Sequence, residues 1–367
     1  MRKSALCCLL AGIFLFQTSA RSGEVFRRGL FVSVIQTPPV LSSRDAIRKL
    51  IDFSKKAKVQ VLFVQLYYAN KAWFLSTVGD TSPYQTCLKS IGEDPTALLI
   101  REAHAAGIEV HAWLNMCSLN NNVAAPLLKK YGPEILTQDL SPKRSLQDYK
   151  IDNQFFLEPG DPRVRRELVT VVGEVLQAYP DLDGIQLDYI RYPDNHPVYG
   201  YGRANVERYQ KTTGVLTIAN SDPAWQTWKR RQVTELLEQL VKSARGIRPG
   251  LRVSATGCMP YARARHEAFQ DWPSWIDRGI VDFITLMNYS PEPAQFERWN
   301  KQAKSKTIFA AKVNVGVGAY KLVQSPEVFS KEYRDCEDSA EGGACVVFHY
   351  GSLVEAPELA VPLLTDR

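Results

Sequence analysis

Residues 181–193 read DLDGIQLDYIRYP, and the centre of that stretch, GIQLDYI, has the character of a short β-strand. A strand covered on both faces is expected to be almost continuous Val, Ile and Leu. Here Gln186 and Asp188 stand two positions apart and share one side with Gly184, while Ile185, Leu187 and Tyr189 share the other. A buried carboxylate without partners costs several kcal/mol. The stretch therefore calls for a fold in which one side of a central strand packs under helices and the other opens into a polar pocket.

Seven further strand-length apolar runs surround it: 29–35, 59–68, 109–116, 251–257, 282–289, 307–316 and 344–351. Amphipathic segments of helical length lie between them, several beginning at Asp-Pro or Ser-Pro, where a capping oxygen precedes a proline suited to the first helical turn. Eight strands, each followed by a helix, predict a (β/α)8 barrel, with an open doubly wound sheet as the alternative. QTPPV, not a glycine-rich phosphate loop, follows the first strand, which argues against dinucleotide binding. The segments leaving strands three, four and five are long, and in such barrels the outgoing loops build the active site.

Alternation on the other strands sorts their polar residues to one side as well. Gln65 and Tyr67 oppose Leu62, Val64 and Leu66; His111, Trp113 and Asn115 oppose Val110, Ala112 and Leu114; Lys312 and Asn314 oppose Ala311 and Val313; His349 opposes Val346 and Phe348. In a closed barrel these groups converge at the mouth around Asp188, with Gln186, Lys312 and Asn115 as its expected partners. The competing reading is a plugged barrel in which the polar groups satisfy one another.

The first twenty residues differ from the rest: Arg2 and Lys3 precede the run ALCCLLAGIFLF, which leads to QTSA. This reads as a signal peptide cut after Ala20, leaving one domain over 21–367 that is secreted or periplasmic, with no stable membrane span. A retained anchor is the alternative, though the run is short for a bilayer. Removing those residues takes the formal charge from +6 to +4, and no basic stripe suggests nucleic acid. Five cysteines remain, of which Cys336 and Cys345 are the nearest couple and could pair in an exported protein. Their spacing matches no zinc pattern, and His111 and His349 lack carboxylate or cysteine neighbours, so neither metal nor cofactor is expected.

The segment LEPGDPRVRRELVTVVGEVLQAYPDLDGIQLDYIRYP resembles the signature of the bacterial glycosyl-hydrolase-like 10 family. RGLFVSV, VLFVQLYYANKAWFLS, DPTALLIREAHAAGIEVHAWLN and FQDWPSWIDRGIVDFITLMNYS continue the likeness over roughly residues 26–350. The resemblance implies an exported (β/α)8 barrel acting on glycosidic bonds of a polysaccharide or cell-wall glycan. Relative to chitinase-type barrels, with D-G-x-D-x-D-x-E on strand four, Gln186 and Ile190 replace the second Asp and the Glu. Relative to amylase-type barrels, the end of strand five carries Thr256, Gly257 and Cys258 in place of an acid.

Glycoside hydrolysis usually needs two carboxyl groups. Asp188 is expected to be the nucleophile, base or charge-stabilising group, kept ionised by Lys312. Asp271 is the candidate second carboxyl, with a helix N-cap as its alternative role; Glu267 and Glu292 are weaker candidates. Trp113, Tyr67, Trp73, Tyr192 and Tyr289 are expected to stack on sugar rings. Arg191 could hold a carboxylate or hydroxyl, a salt bridge to Asp194 being the competing account. Gln65, Asn115, Gln186, Asn314 and His349 complete the expected carbohydrate-binding set. A silent glycan-binding barrel and an aldolase with Lys312 as Schiff-base lysine are the rival functions.

Overall fold

The computed structural model describes residues 27–339 and 342–365; the stretch read as a signal peptide lies outside them. Eight strands form one parallel sheet: β1 (Arg28–Val32), β2 (Val61–Tyr68), β3 (Glu109–Asn115), β4 (Gly184–Asp188), β5 (Arg252–Cys258), β6 (Phe283–Asn288), β7 (Val313–Gly318) and β8 (Cys345–Phe348). Each pairs with the next, and β8 pairs with β1 through Arg28↔Cys345, so the sheet closes into a (β/α)8 barrel.

Helices α1 (Arg44–Lys56), α2 (Pro95–Ala105), α3 (Pro162–Ala178), α4 (Pro223–Ile247), α5 (Trp272–Asp277), α6 (Pro293–Lys304), α7 (Pro326–Glu337) and α8 (Tyr350–Glu355) follow the strands in turn. The Asp-Pro starts behave as capping requires: Asp94, Asp161 and Asp222 accept from the backbone N–H of Ala97, Arg163 and Ala224. Cys336 of α7 is joined to Cys345 of β8 by a disulfide, and Cys87, Cys117 and Cys258 are free and buried.

Two apolar layers separate at the strands. Outward side chains such as Leu62, Val64, Ile185, Leu187, Val315 and Val317 pack under the helices. Inside the barrel, Phe31, Val61, Phe63, Trp113, Phe283 and Val346 form a separate cluster with Phe348 against it. The lumen is therefore a packed core in its lower part.

The polar groups depart from simple alternation at three strands. On β2 the register slips by one residue, Gln65 pairing with Trp113 but Tyr67 with Leu114. A bulge of this kind flips every later side chain, and Tyr67 turns outward into the helix-side core, its hydroxyl accepting from Asn70 Nδ2 at 2.8 Å. On β7 the strand starts only at Val313, because Ala310–Lys312 form a 3-10 turn. Lys312 is accordingly exposed at the amino end of the barrel, its Nζ 4.6 Å from the centroid of the Phe309 ring, and Asn314 sits one step inside that same end. On β8 Val346 and Phe348 face the lumen, and His349 caps α8 by accepting from Gly351 N–H at 3.1 Å. Aromatic bulk fills the lumen there, so polarity is the wrong guide to direction.

The outgoing segments over 116–161 and 189–222, after β3 and β4, are long as expected, but the one after β5, 259–271, is shorter than that after β2, 69–94, which carries the helix Ser82–Ile91. The first carries a short antiparallel pair, Ser118–Asn120 with Phe155–Phe156. The second carries the helix Arg203–Thr213. No helix among the described residues is long and apolar enough to cross a membrane.

Candidate active site

Asp188 ends β4 inside the barrel, 4% exposed, in register with Asn115 of β3. Its Oδ1 accepts from Thr256 Oγ1 at 2.6 Å and from the Tyr189 N–H at 2.7 Å; its Oδ2 accepts from Trp113 Nε1 at 2.9 Å and from Asn115 Nδ2 at 3.4 Å. Four donors and no ion pair converge on this carboxylate among the described residues. Such donors fix its orientation without neutralising it as a cation would.

The donor chain extends back across the barrel. Asn115 Oδ1 accepts from Gln65 Nε2 at 2.9 Å, and Gln65 Oε1 accepts from Ser33 Oγ at 3.0 Å and Val34 N–H at 3.1 Å. Each amide passes its own donor on toward Asp188, an arrangement in which neighbouring bonds polarise one another. Below Asp188, Gln186 accepts from the Ser254 hydroxyl. Lower still lies His111, whose ring occupies the space left by Gly184; a Cβ there would come within 2.5 Å of it. Burial pushes the His111 pKa down to about 4, so it is a neutral part of the packed floor.

Tyr189 has φ 55°. That left-handed conformation costs a non-glycine residue roughly 1–2 kcal/mol, and here it brings the Tyr189 N–H onto the Asp188 side chain. The Arg191 guanidinium lies 4.5 Å from the Tyr189 ring centroid, and Phe156 lies 6.2 Å from it. Burial pushes the Tyr189 phenol up to about 12. Arg191 pairs with Asp194 at 2.7 Å, and Arg263 reaches the same carboxylate at 2.6 Å. Burial opposes the Asp194 charge, yet the two guanidiniums hold its carboxyl below the usual range.

Across the mouth, Tyr289 follows β6 and packs on Phe348 at 5.2 Å and against Tyr320 at 5.5 Å. Glycine alternation on β7 makes this possible: a Cβ at Gly318 would lie 2.9 Å from the Tyr289 Cβ, and one at Gly316 would lie 3.4 Å from its ring. Burial and, next, the charge of Asp188 hold the Tyr289 phenol far above its ordinary pKa. On the opposite rim the Tyr68 hydroxyl accepts from Asn120 Nδ2 at 2.5 Å.

Of the residues expected at the site, Gln65, Trp113, Asn115, Gln186, Asp188, Arg191 and Tyr289 are thus gathered in or around the lumen. Tyr67, Lys312 and His349 are not, for the reasons of register and strand start given above, and Asn314 is buried at the amino end of the barrel, away from Asp188. Tyr192 is fully buried outside the lumen, donating its hydroxyl to Glu158 Oε1 at 2.5 Å. Trp73 is buried in the helix-side core. Asp271 is engaged on both oxygens, by the Tyr261 hydroxyl at 2.6 Å and by Arg265 at 2.8 Å, and makes no side-chain cap to α5. Glu267 is half-buried and Glu292 exposed.

Thr256, Tyr189, Tyr68, Phe348 and Tyr320 belong to the mouth without having been singled out. Alternation on β5, where Ser254 and Thr256 share the lumen side, was signal enough for the first. The bulge hid Tyr68, the backbone turn hid Tyr189, and nothing in the sequence marks Tyr320. No group of three or more His, Cys, Asp and Glu side chains that could hold a metal occurs among the described residues.

Comparison with solved structures agrees with the barrel. The catalytic domain of a β-amylase from Paenibacillus polymyxa superposes with a TM-score of 0.58 at 13% identity, covering 91% of this chain and 94% of that one. A glycoside hydrolase family 20 β-N-acetylglucosaminidase superposes at 0.51 with 8% identity, covering 93% of this chain and 68% of that one. Among curated proteins, glycosyl hydrolase DigH of Escherichia coli strain K12 is 24% identical over 305 residues, which is 74% of this chain and 67% of that protein. Glycosyl hydrolase YngK of Bacillus subtilis strain 168 is 25% identical over 354 residues, 86% of this chain and 66% of that protein. The chain spans about two thirds of the length of these relatives. The family model for glycosyl hydrolase-like 10 matches residues 28–335, and the chain belongs to that family.

Proposed function

We propose that the protein is an exported glycoside hydrolase that cleaves O-glycosyl bonds in a polysaccharide or cell-wall glycan, with Asp188 as its central catalytic group. The observation that carries this reading is the Asp188 carboxylate: it stands at the carboxyl end of β4, held by four donors and, among the described residues, in no ion pair. A carboxylate so held can attack or stabilise a positively charged anomeric carbon, or take a proton from water. The aromatic rim of Tyr68, Tyr189, Tyr289 and Tyr320 supplies apolar faces for sugar rings. Membership of a glycosyl hydrolase-like family supports the reaction class. The Cys336–Cys345 disulfide and the leader-like residues 1–20 support export.

The mechanism assigns Asp188 the negative charge facing the anomeric centre, and Trp113, Asn115, Thr256 and the Tyr189 N–H the task of orienting it. Asp271 and Asp194 are not given the proton-donor role, because arginines already hold both. That same observation favours a second reading, a glycan-binding barrel without turnover. Incubating the chain with purified polysaccharides and peptidoglycan glycan strands, and measuring new reducing ends, separates the two. Turnover that disappears in Asp188→Asn supports the enzyme; binding without turnover in the parent chain supports the binder.

A further inference from the structure

Hydrolysis at Asp188 needs a protic group that gives its proton to the departing oxygen, and Asp194 and Asp271, on the segments leaving β4 and β5, are held by arginines. Asp194 lies between Arg191 and Arg263, Asp271 between Tyr261 and Arg265, and β5 ends without an acid. Tyr289 answers the need by position. Gly316 and Gly318 leave room for its ring within the mouth. The ring rests on Phe348 at 5.2 Å, Phe348 meets Trp113 at 5.7 Å, and the Trp113 indole N–H holds Asp188 at 2.9 Å. Its hydroxyl has no hydrogen-bond partner among the described residues and is not sealed from solvent, whereas the Tyr68 hydroxyl accepts from Asn120 on the opposite rim. Tyr189 differs in that its ring lies between Arg191 and Phe156.

We propose that the Tyr289 hydroxyl is the proton donor to the departing glycosidic oxygen, in the place a second carboxylic acid holds in two-carboxylate glycosidases. The inference rests on the glycosidase reading. As the bond from the anomeric carbon to oxygen breaks, its electron pair goes to the oxygen, which takes the Tyr289 proton. The phenolate is then reprotonated by the water whose hydroxyl ends on the anomeric carbon, so one water is consumed and the enzyme is restored.

The test compares Tyr289→Phe with the parent on the oligosaccharide the parent cleaves and on the 2,4-dinitrophenyl glycoside of the same glycone, whose leaving group needs no proton. On the oligosaccharide kcat is expected to fall on the order of 10³-fold with KM little changed; on the dinitrophenyl glycoside the fall is expected to stay under about tenfold. Equal losses on both substrates, or none on the oligosaccharide, overturn the role of Tyr289. Thermal melting establishes that the variant is folded. Should it be destabilised, 2,3-difluorotyrosine at 289 serves instead, and a kcat on the oligosaccharide equal to that of the parent overturns the proposal. Asp188→Asn, run alongside, tests the underlying reading: full activity in that variant removes the glycosidase assignment at Asp188, while its inactivity with an unaffected Tyr289→Phe removes only this inference.

Discussion

Two buried carboxylates, Asp188 and Glu158, lie on either side of the strand-four wall, and the stretch DYIRYP touches both. Asp188 faces the lumen with four donors, an aromatic rim and a chain of amides behind it. Glu158 is fully buried behind the barrel, accepting from the Tyr192 hydroxyl at 2.5 Å and the Gly160 N–H at 3.0 Å. A Cβ at Gly202 would come within 3.0 Å of Glu158 Oε2, so the backbone itself closes that site. Burial raises the Glu158 pKa. Burial alone therefore does not mark a reactive carboxylate; the difference is that Asp188 faces the lumen beneath an aromatic rim and Glu158 does not.

The sharpest way to break the comparison is Asp188→Asn. Turnover of the cleaved glycan should fall on the order of 10³-fold or more, about 4 kcal/mol of barrier, with the folded state retained in thermal melts. Glu158→Ala should show the inverse pattern: about 3 kcal/mol lost in urea unfolding, from a stripped Tyr192 hydroxyl and a new cavity, with kcat per folded molecule near that of the parent. A stable but inactive Glu158→Ala would erase the distinction.

The floor beneath Asp188 carries a pH signature. His111 titrates at about 4 when folded against 6.5 as the ordinary value, so the unfolded chain binds a proton first as pH falls. Stability should drop by roughly 3 kcal/mol as pH goes from about 6.5 to about 4. His111→Leu, measured by urea midpoints at both ends, should remove that part of the slope. Glu158 runs the other way: with its folded pKa raised, its contribution to stability falls as pH rises above the ordinary carboxyl value of 4.5. The smallest effect is expected at Gly318→Ala, which should cost about 1–2 kcal/mol by pressing on Tyr289. An unchanged melting temperature there would mean that Tyr289 moves aside freely.

Much of this was readable before folding. The alternation of Gln186 and Asp188 with Ile185 and Leu187, and that of Trp113 and Asn115 with Ala112 and Leu114, depends only on the two-residue period of a strand, and the two strands keep their register with each other. The Asp-Pro caps are equally local. Tyr67 and Lys312 were misplaced where that period failed, at a bulge on β2 and a 3-10 turn ahead of β7, and His349 where the period held but aromatic residues, not polar ones, face the lumen at β8.

What the residues determined by themselves is the succession of eight strands and helices and the shared side of strand four that carries Gln186 and Asp188, since side-chain period, capping chemistry and apolar spacing act over a few positions. What only the tertiary structure decided is which groups reach that carboxylate. Thr256, the Tyr189 N–H and the Tyr289 ring come from three different places in the chain, and they are brought together by barrel closure, by one left-handed residue and by two glycines on a distant strand. Contacts between residues far apart in sequence follow from how the strands close and stagger, and no local pattern carries that information.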